Sequence, residues 1–128
     1  ARAVVDFLDG HPQVERIQYA GLASSPWHGR ATEITGGNGF GSVPAFVIAG
    51  GREAGARFVE GLTLHHHVAN LGDVRSLAIH PSSTTHSQLT DEEQRLAGVD
   101  PGLVRLSVGI ETVADIIADL ERGFAAAG

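Results

Sequence analysis

The chain has 128 residues, 42% of them hydrophobic and 19% charged, with a formal net charge of −6 and no cysteine. That length is one domain's worth and buries on the order of two-thirds of the surface its unfolded chain would expose. The composition excludes a disordered polymer, a disulfide framework and a thiolate metal site, the charge argues against a nucleic-acid footprint, and no apolar run approaches the roughly 18 residues of a membrane span.

Ala1, Val4, Val5 and Leu8 fall at i, i+3, i+4 and i+7, the apolar stripe of an amphipathic helix. No Ser, Thr, Asp or Asn precedes the stripe to cap it, and the chain contains no methionine. The expectation is therefore a piece of a longer protein. Gly10-His11-Pro12 ends the helix, and Val14 to Tyr19 alternates as a half-buried strand, with Ile17 and Tyr19 on one face. Gly21 to Gly41 is loop-like, with one short helical turn predicted near Trp27 to Ala31. Val43 to Ala49 is an apolar run of strand length, with Pro44 near its start, where a missing N–H is tolerated. Gly50-Gly51 leads into a helix over Arg52 to Leu62 with Ala54, Phe58 and Leu62 inward.

Ser76 to His80 reads as a short strand with Leu77 and Ile79 on one side. Thr90-Asp91-Glu92-Glu93 is a capping box that opens a short helix ending at Gly98. Leu103 to Val108 is the most regular strand, Val104, Leu106 and Val108 opposing Arg105 and Ser107. A last helix starts at a Thr112 cap with Val113, Ile116, Ile117, Leu120 and Phe124 as its stripe. This order predicts one α+β domain over residues 1–128, a largely antiparallel sheet covered by helices, without internal repeats.

Arg105 is the most informative side chain. A guanidinium in mid-strand between Val104 and Leu106 needs a partner. Its planar fork suits an amino acid's α-carboxylate as well as an internal Asp or Glu, and spacing alone leaves both open. His65-His66-His67, with His80 and His86 beyond, is better read as partly buried, hydrogen-bonded histidines than as a metal site. Adjacent strand residues point to opposite faces, and there is no His-Glu-x-x-His. Gly36-Gly37-Asn38-Gly39-Phe40-Gly41 runs towards a strand rather than a helix, so it reads as flexible strand entry, not a phosphate loop. No Gly-x-Ser-x-Gly elbow exists, and the serines and threonines between His80 and His86 serve as turn residues.

Taken in order, Val68-Ala69-Asn70-Leu71-Gly72-Asp73, Ser76 to Leu89 (SLAIHPSSTTHSQL) and Val104 to Glu111 (VRLSVGIE) resemble the O-acetylhomoserine sulfhydrylases. These are pyridoxal-phosphate enzymes of the Cys/Met-metabolism family. His11-Pro12-x-Val14 and Tyr19-Ala20-Gly21-Leu22 extend the resemblance over nearly the whole chain, with Ala20 where proline is expected. The resemblance implies the small C-terminal domain of a fold-type I transferase, whose large cofactor-binding domain is not in this chain. It implies that Arg105 holds the substrate α-carboxylate, that Asn70 with Leu71 contributes to the same pocket, and that Thr85 lies near the cofactor-bearing lysine.

The implied reaction takes O-acetylhomoserine and sulfide to homocysteine and acetate, within methionine biosynthesis. The intact enzyme would be a homo-oligomer, a tetramer, in the cytoplasm. All nine basic residues here are arginine, so the cofactor-bearing lysine cannot come from this chain. The isolated chain is expected to be inactive, without covalent pyridoxal phosphate, metal, nucleic acid or membrane. Cystathionine γ-synthase, methionine γ-lyase and a non-catalytic α+β binding or assembly module are the alternatives.

Overall fold

In the computed structural model, which describes residues 1–128, the first apolar stripe folds as α1 (Arg2–Asp9), burying Val4, Val5 and Leu8. β1 (Val14–Gln18) follows, then α2 (His28–Thr35), β2 (Ala45–Ile48), α3 (Gly51–Gly61) and β3 (His66–His67). β4 (Leu77–Ile79) leads into a 3-10 turn (Pro81–Ser83), and α4 (Asp91–Leu96), β5 (Leu103–Ser107) and α5 (Val113–Ala127) complete the chain. The strands form one sheet in the order β1-β2-β5-β4-β3, antiparallel throughout except for the parallel β3–β4 edge. No helix is long and apolar enough to cross a membrane.

α1, α3 and α5 cover one face of the sheet, where Phe46, Ile48, Ala78, Val104 and Leu106 meet Val4, Leu8, Phe58, Leu120 and Phe124. Phe46 and Phe124 each stand edge-on or tilted to Phe58, at 5.3 and 4.8 Å between centroids, the arrangement that ring quadrupoles favour. α3 and α5 approach closely because Gly123 has no side chain. A Cβ there would sit 2.8 Å from the Phe58 ring and 2.9 Å from Leu62. Arg105 lies on the opposite face, in a row of register partners with Ala45 on β2 and Ile79 on β4.

Four expectations change. The turn expected over Trp27 to Ala31 is the full helix α2, which buries no residue and so lacks an apolar signature. Local bonds hold it instead, the Thr32 and Thr35 hydroxyls donating to the His28 and Ala31 carbonyls. Gly36, at φ 63, ends that helix, so the glycine run begins as a C-cap rather than a strand entry. The strand expected from Val43 starts at Ala45, yet the ladder reaches further through carbonyls, Leu106 N donating to Pro44 O and Val108 N to Ser42 O. Thr112 does precede α5, but its hydroxyl donates to the Asp115 carboxylate and accepts from no backbone amide, and Val113 is exposed. The two-residue strand β3 is too short for any periodicity to reveal.

Candidate functional site: an arginine without a counter-charge

Arg105 is half-buried at the centre of β5. Its Nη2 donates to the main-chain carbonyl of Asn70 at 3.2 Å, and its Nε is buried without a partner. None of the chain's ion pairs includes it. An internal salt bridge, one of the two readings the sequence left open, is therefore absent. A buried donor left unpaired costs about 1–3 kcal/mol, more when charged, and an anionic ligand is the natural way to recover it. The hydrogen bond fixes one side of the guanidinium against Asn70 and leaves its charge uncompensated. That combination is suited to an anionic ligand.

Asn70 and Leu71 occupy the exposed connection between β3 and β4. Asn70 meets Arg105 through its backbone, while its side-chain amide makes no hydrogen bond within the chain. Leu71 is exposed beside it. Thr85 is exposed in the loop after the 3-10 turn, its hydroxyl paired with His86 Nδ1 at 2.9 Å, and no hydrogen bond joins it to Arg105 or Asn70. That loop is ordered from within by Gln94. Its buried amide donates to the His86 and Leu89 carbonyls at 2.8 and 3.2 Å and accepts from the Ser82 hydroxyl at 2.7 Å.

The histidines divide. His80 is fully buried, Nε2 donating to Pro101 O at 2.7 Å and Nδ1 accepting from the Ser83 hydroxyl at 2.8 Å. Burial holds it below the usual imidazole range, against the Pro101 carbonyl, which pulls the other way, and with help from the Arg52 charge. His65 is buried against Asp119, whereas His66 and His67 are exposed on β3. No group of three or more His, Asp or Glu side chains converges as a metal site would require.

Two carboxylates that the sequence reading passed over stand on either side of the Asn70 connection. Asp119 lies buried in the apolar stripe of α5, and Glu111 follows β5. Burial pushes both carboxyls up, and hydrogen bonds outweigh it, from His65 and Thr63 onto Asp119 and from Ser76 onto Glu111. The net effect holds both below the ordinary carboxylate range. Their signal was available in part: Asp119 sits at i+3 from Ile116 and one residue before Leu120, a charge inside a helix's apolar stripe.

The largest cavity, about 870 Å³, lies elsewhere, along the edge strand β1 between Arg16, Tyr19, Trp27 and Phe40. Neither it nor the two smaller cavities is lined by Arg105, Asn70, Leu71 or Thr85. Arg105 therefore lines no cavity of this chain; it lies on the sheet face opposite the core helices.

The structure is an α+β domain in which Arg105 and the exposed Arg95 are the two arginines outside any ion pair, and of these only Arg105 has a buried, unpaired donor. Residues 1–125 match the model of the Cys/Met metabolism PLP-dependent enzymes, and the chain belongs to that family. It is 50% identical to the O-acetyl-L-homoserine sulfhydrylase of Corynebacterium glutamicum, over 96% of this chain and 28% of that protein. It is 47% identical to the L-methionine gamma-lyase of Fusobacterium nucleatum, over 96% of this chain and 31% of that protein. Among solved structures it resembles cystathionine gamma synthase from Xanthomonas oryzae, with a TM-score of 0.84 and 40% identity, covering 99% of this chain and 32% of that one. A Campylobacter jejuni structure carrying N'-pyridoxyl-lysine-5'-monophosphate superposes with a TM-score of 0.88 and 38% identity, covering 98% of this chain and 30% of that one. The chain thus spans about a third or less of the proteins it matches.

The family is pyridoxal-phosphate-dependent. The cofactor is held on a lysine in such enzymes, and this chain has no lysine. Its residues do not fit the covalent cofactor site, so no cofactor step is assigned to them.

Proposed function

We propose that this chain is the C-terminal, substrate-carboxylate-binding domain of an O-acetylhomoserine sulfhydrylase, acting in methionine biosynthesis in the cytoplasm. The observation that carries the reading is Arg105, half-buried in mid-strand, without any carboxylate partner and with a buried Nε left unpaired. Arg105 takes the α-carboxylate of O-acetylhomoserine in charge-assisted hydrogen bonds and fixes the orientation of Cα relative to the cofactor. Asn70 and Leu71 form the rim of that pocket, and Thr85 faces the cofactor-bearing lysine of the large domain. That domain supplies the pyridoxal phosphate, which acts as electron sink when bound.

The exposed apolar side chains Leu71 and Val74, in the same connection as Asn70, and Ile110, whose amide donates to the Val74 carbonyl, support the second part of the reading, that the large domain closes over this face. Intact, the protein is a homo-oligomer, a tetramer. Similarity of 50% to a sulfhydrylase and 47% to a methionine gamma-lyase sets the decisive comparison. The full-length protein, loaded with pyridoxal phosphate, is expected to form homocysteine from O-acetylhomoserine and sulfide with a higher kcat/KM than that for releasing methanethiol from methionine. Faster turnover of methionine, or of cysteine as γ-acceptor, would reassign the activity within the family.

A further inference from the structure

Residues 68–76 join two parallel neighbours, β3 and β4. Parallel strands normally need a crossover of about a dozen residues or more, and β3 contributes only His66 and His67 to the ladder. Something other than the sheet must hold this connection. From residues 69–72, the one hydrogen bond to the rest of the chain is the bond Asn70 O accepts from Arg105. The placement of Asn70 over the arginine is decided at the two ends.

At the first end the buried carboxylate of Asp119 accepts from Thr63 N at 2.8 Å, Thr63 Oγ1 at 2.9 Å, His65 N at 3.0 Å and His65 Nδ1 at 2.8 Å. Arg122 adds a weaker contact from the rim at 3.3 Å. At the second end Glu111 accepts from Ser76 N at 2.7 Å and Ser76 Oγ at 2.8 Å. Gly109 N donates to that same hydroxyl at 2.9 Å, and Ile110 N to Val74 O at 3.0 Å. The crossing is tight enough that a Cβ on Gly109 would come within 2.5 Å of Ser76 N and Val74 O. Asp119 thus takes two main-chain amides and Glu111 one, each in a short charge-assisted bond backed by a side-chain donor. The Asp119 side chain is wholly enclosed, so it acts only through what it holds.

We propose that Asp119 and Glu111 are positioning residues: two carboxylates that pin the ends of the 66–76 segment so that Asn70 stands at Arg105 and completes the carboxylate pocket. The proposal rests on the reading of Arg105 as the substrate anchor. Neither carboxylate touches substrate. Loosening either end lets Asn70 drift from the guanidinium, and the amino acid is then bound less tightly and oriented less well. A displacement of about 1 Å can cost on the order of 100-fold in such systems.

The test uses full-length, cofactor-loaded protein carrying Asp119→Asn, Glu111→Gln or Arg105→Ala, with KM for each substrate, kcat, and amide hydrogen exchange over residues 63–76. Asp119→Asn and Glu111→Gln are expected to raise KM for the amino-acid substrate roughly tenfold and leave KM for sulfide within about twofold. Exchange at the hydrogen-bonded amides of His66, Val68 and Ser76 should quicken while β5 stays protected. Faster exchange there with an unchanged amino-acid KM overturns the positioning role. If Asp119→Asn does not fold, Thr63→Ala, which removes only one hydroxyl donor, is expected to show the same split at smaller size. An Arg105→Ala variant with unchanged amino-acid KM removes the anchor reading and this proposal with it. A raised KM for Arg105→Ala beside an unchanged one for both carboxylate variants removes the positioning role alone.

Discussion

At the residue scale, buried polar groups in this chain are of two kinds. Asp119, Gln94 and His80 are enclosed with several partners each, and they act as internal fasteners. Arg105 has one partner, an unpaired Nε and an uncompensated charge. The fasteners have a pH signature. His80, Asp119 and Glu111 all titrate below their ordinary ranges in the folded protein. A depressed folded pKa means the unfolded chain binds more protons, so the stabilisation is complete above the unfolded value and is lost as pH falls. For His80 the loss begins as pH drops through about 6.5, and for the two carboxylates through about 4. Urea midpoints measured from pH 8 to pH 5 should therefore fall, and the fall should be shallower in His80→Gln. A midpoint flat across that range would refute the neutral, buried state of His80.

The legibility of these residues followed their chemistry. Arg105 was visible because it is the one charge in its strand, between Val104 and Leu106, where a guanidinium needs a partner. Asn70 needed the family resemblance, since an asparagine followed by Leu71-Gly72 reads as any turn. The roles of Asp119 and Glu111 come from partners 54 and 35 residues away, contacts that no local pattern encodes.

At the element scale, elements with a buried face matched their periodicity and those without one did not. α1, α3 and α5 each bury an apolar stripe and lie within a residue or two of their expected ends. α2 buries nothing and was expected as a single turn. The capping box at Thr90 forms as its sequence dictates, Thr90 Oγ1 accepting from Glu93 N and Glu93 accepting from Thr90 N at 2.8 Å. The α3–α5 contact depends on Gly123, which lies against Phe58 and Leu62. Gly123→Leu should lower stability by about 1–3 kcal/mol through overpacking, measured by denaturant titration. A neutral result would show that the two helices can separate freely and that their packing does not fix the core.

At the scale of the whole molecule, one face of the sheet is sealed by three helices and the other carries Arg105 beside the exposed connection that holds Asn70 and Leu71. The fold class was legible because the order of helices and strands leaves few ways to bury both stripes and alternating strands. The position of the parallel β3–β4 edge was not, since two residues of pairing carry no pattern. The missing lysine and the open arginine site are two aspects of one division of labour. In the proposed function this domain holds the substrate's carboxylate, and the larger remainder of such an enzyme holds the cofactor.

The most direct test of that division is steady-state kinetics of the full-length protein with Arg105→Ala, varying the amino-acid substrate and sulfide separately. Loss of a charged, paired contact of about 1.5–3 kcal/mol predicts a fall in kcat/KM for the amino acid of roughly 10- to 150-fold, with KM for sulfide unmoved. An unchanged kcat/KM for the amino acid would contradict the assignment of Arg105 as the carboxylate anchor.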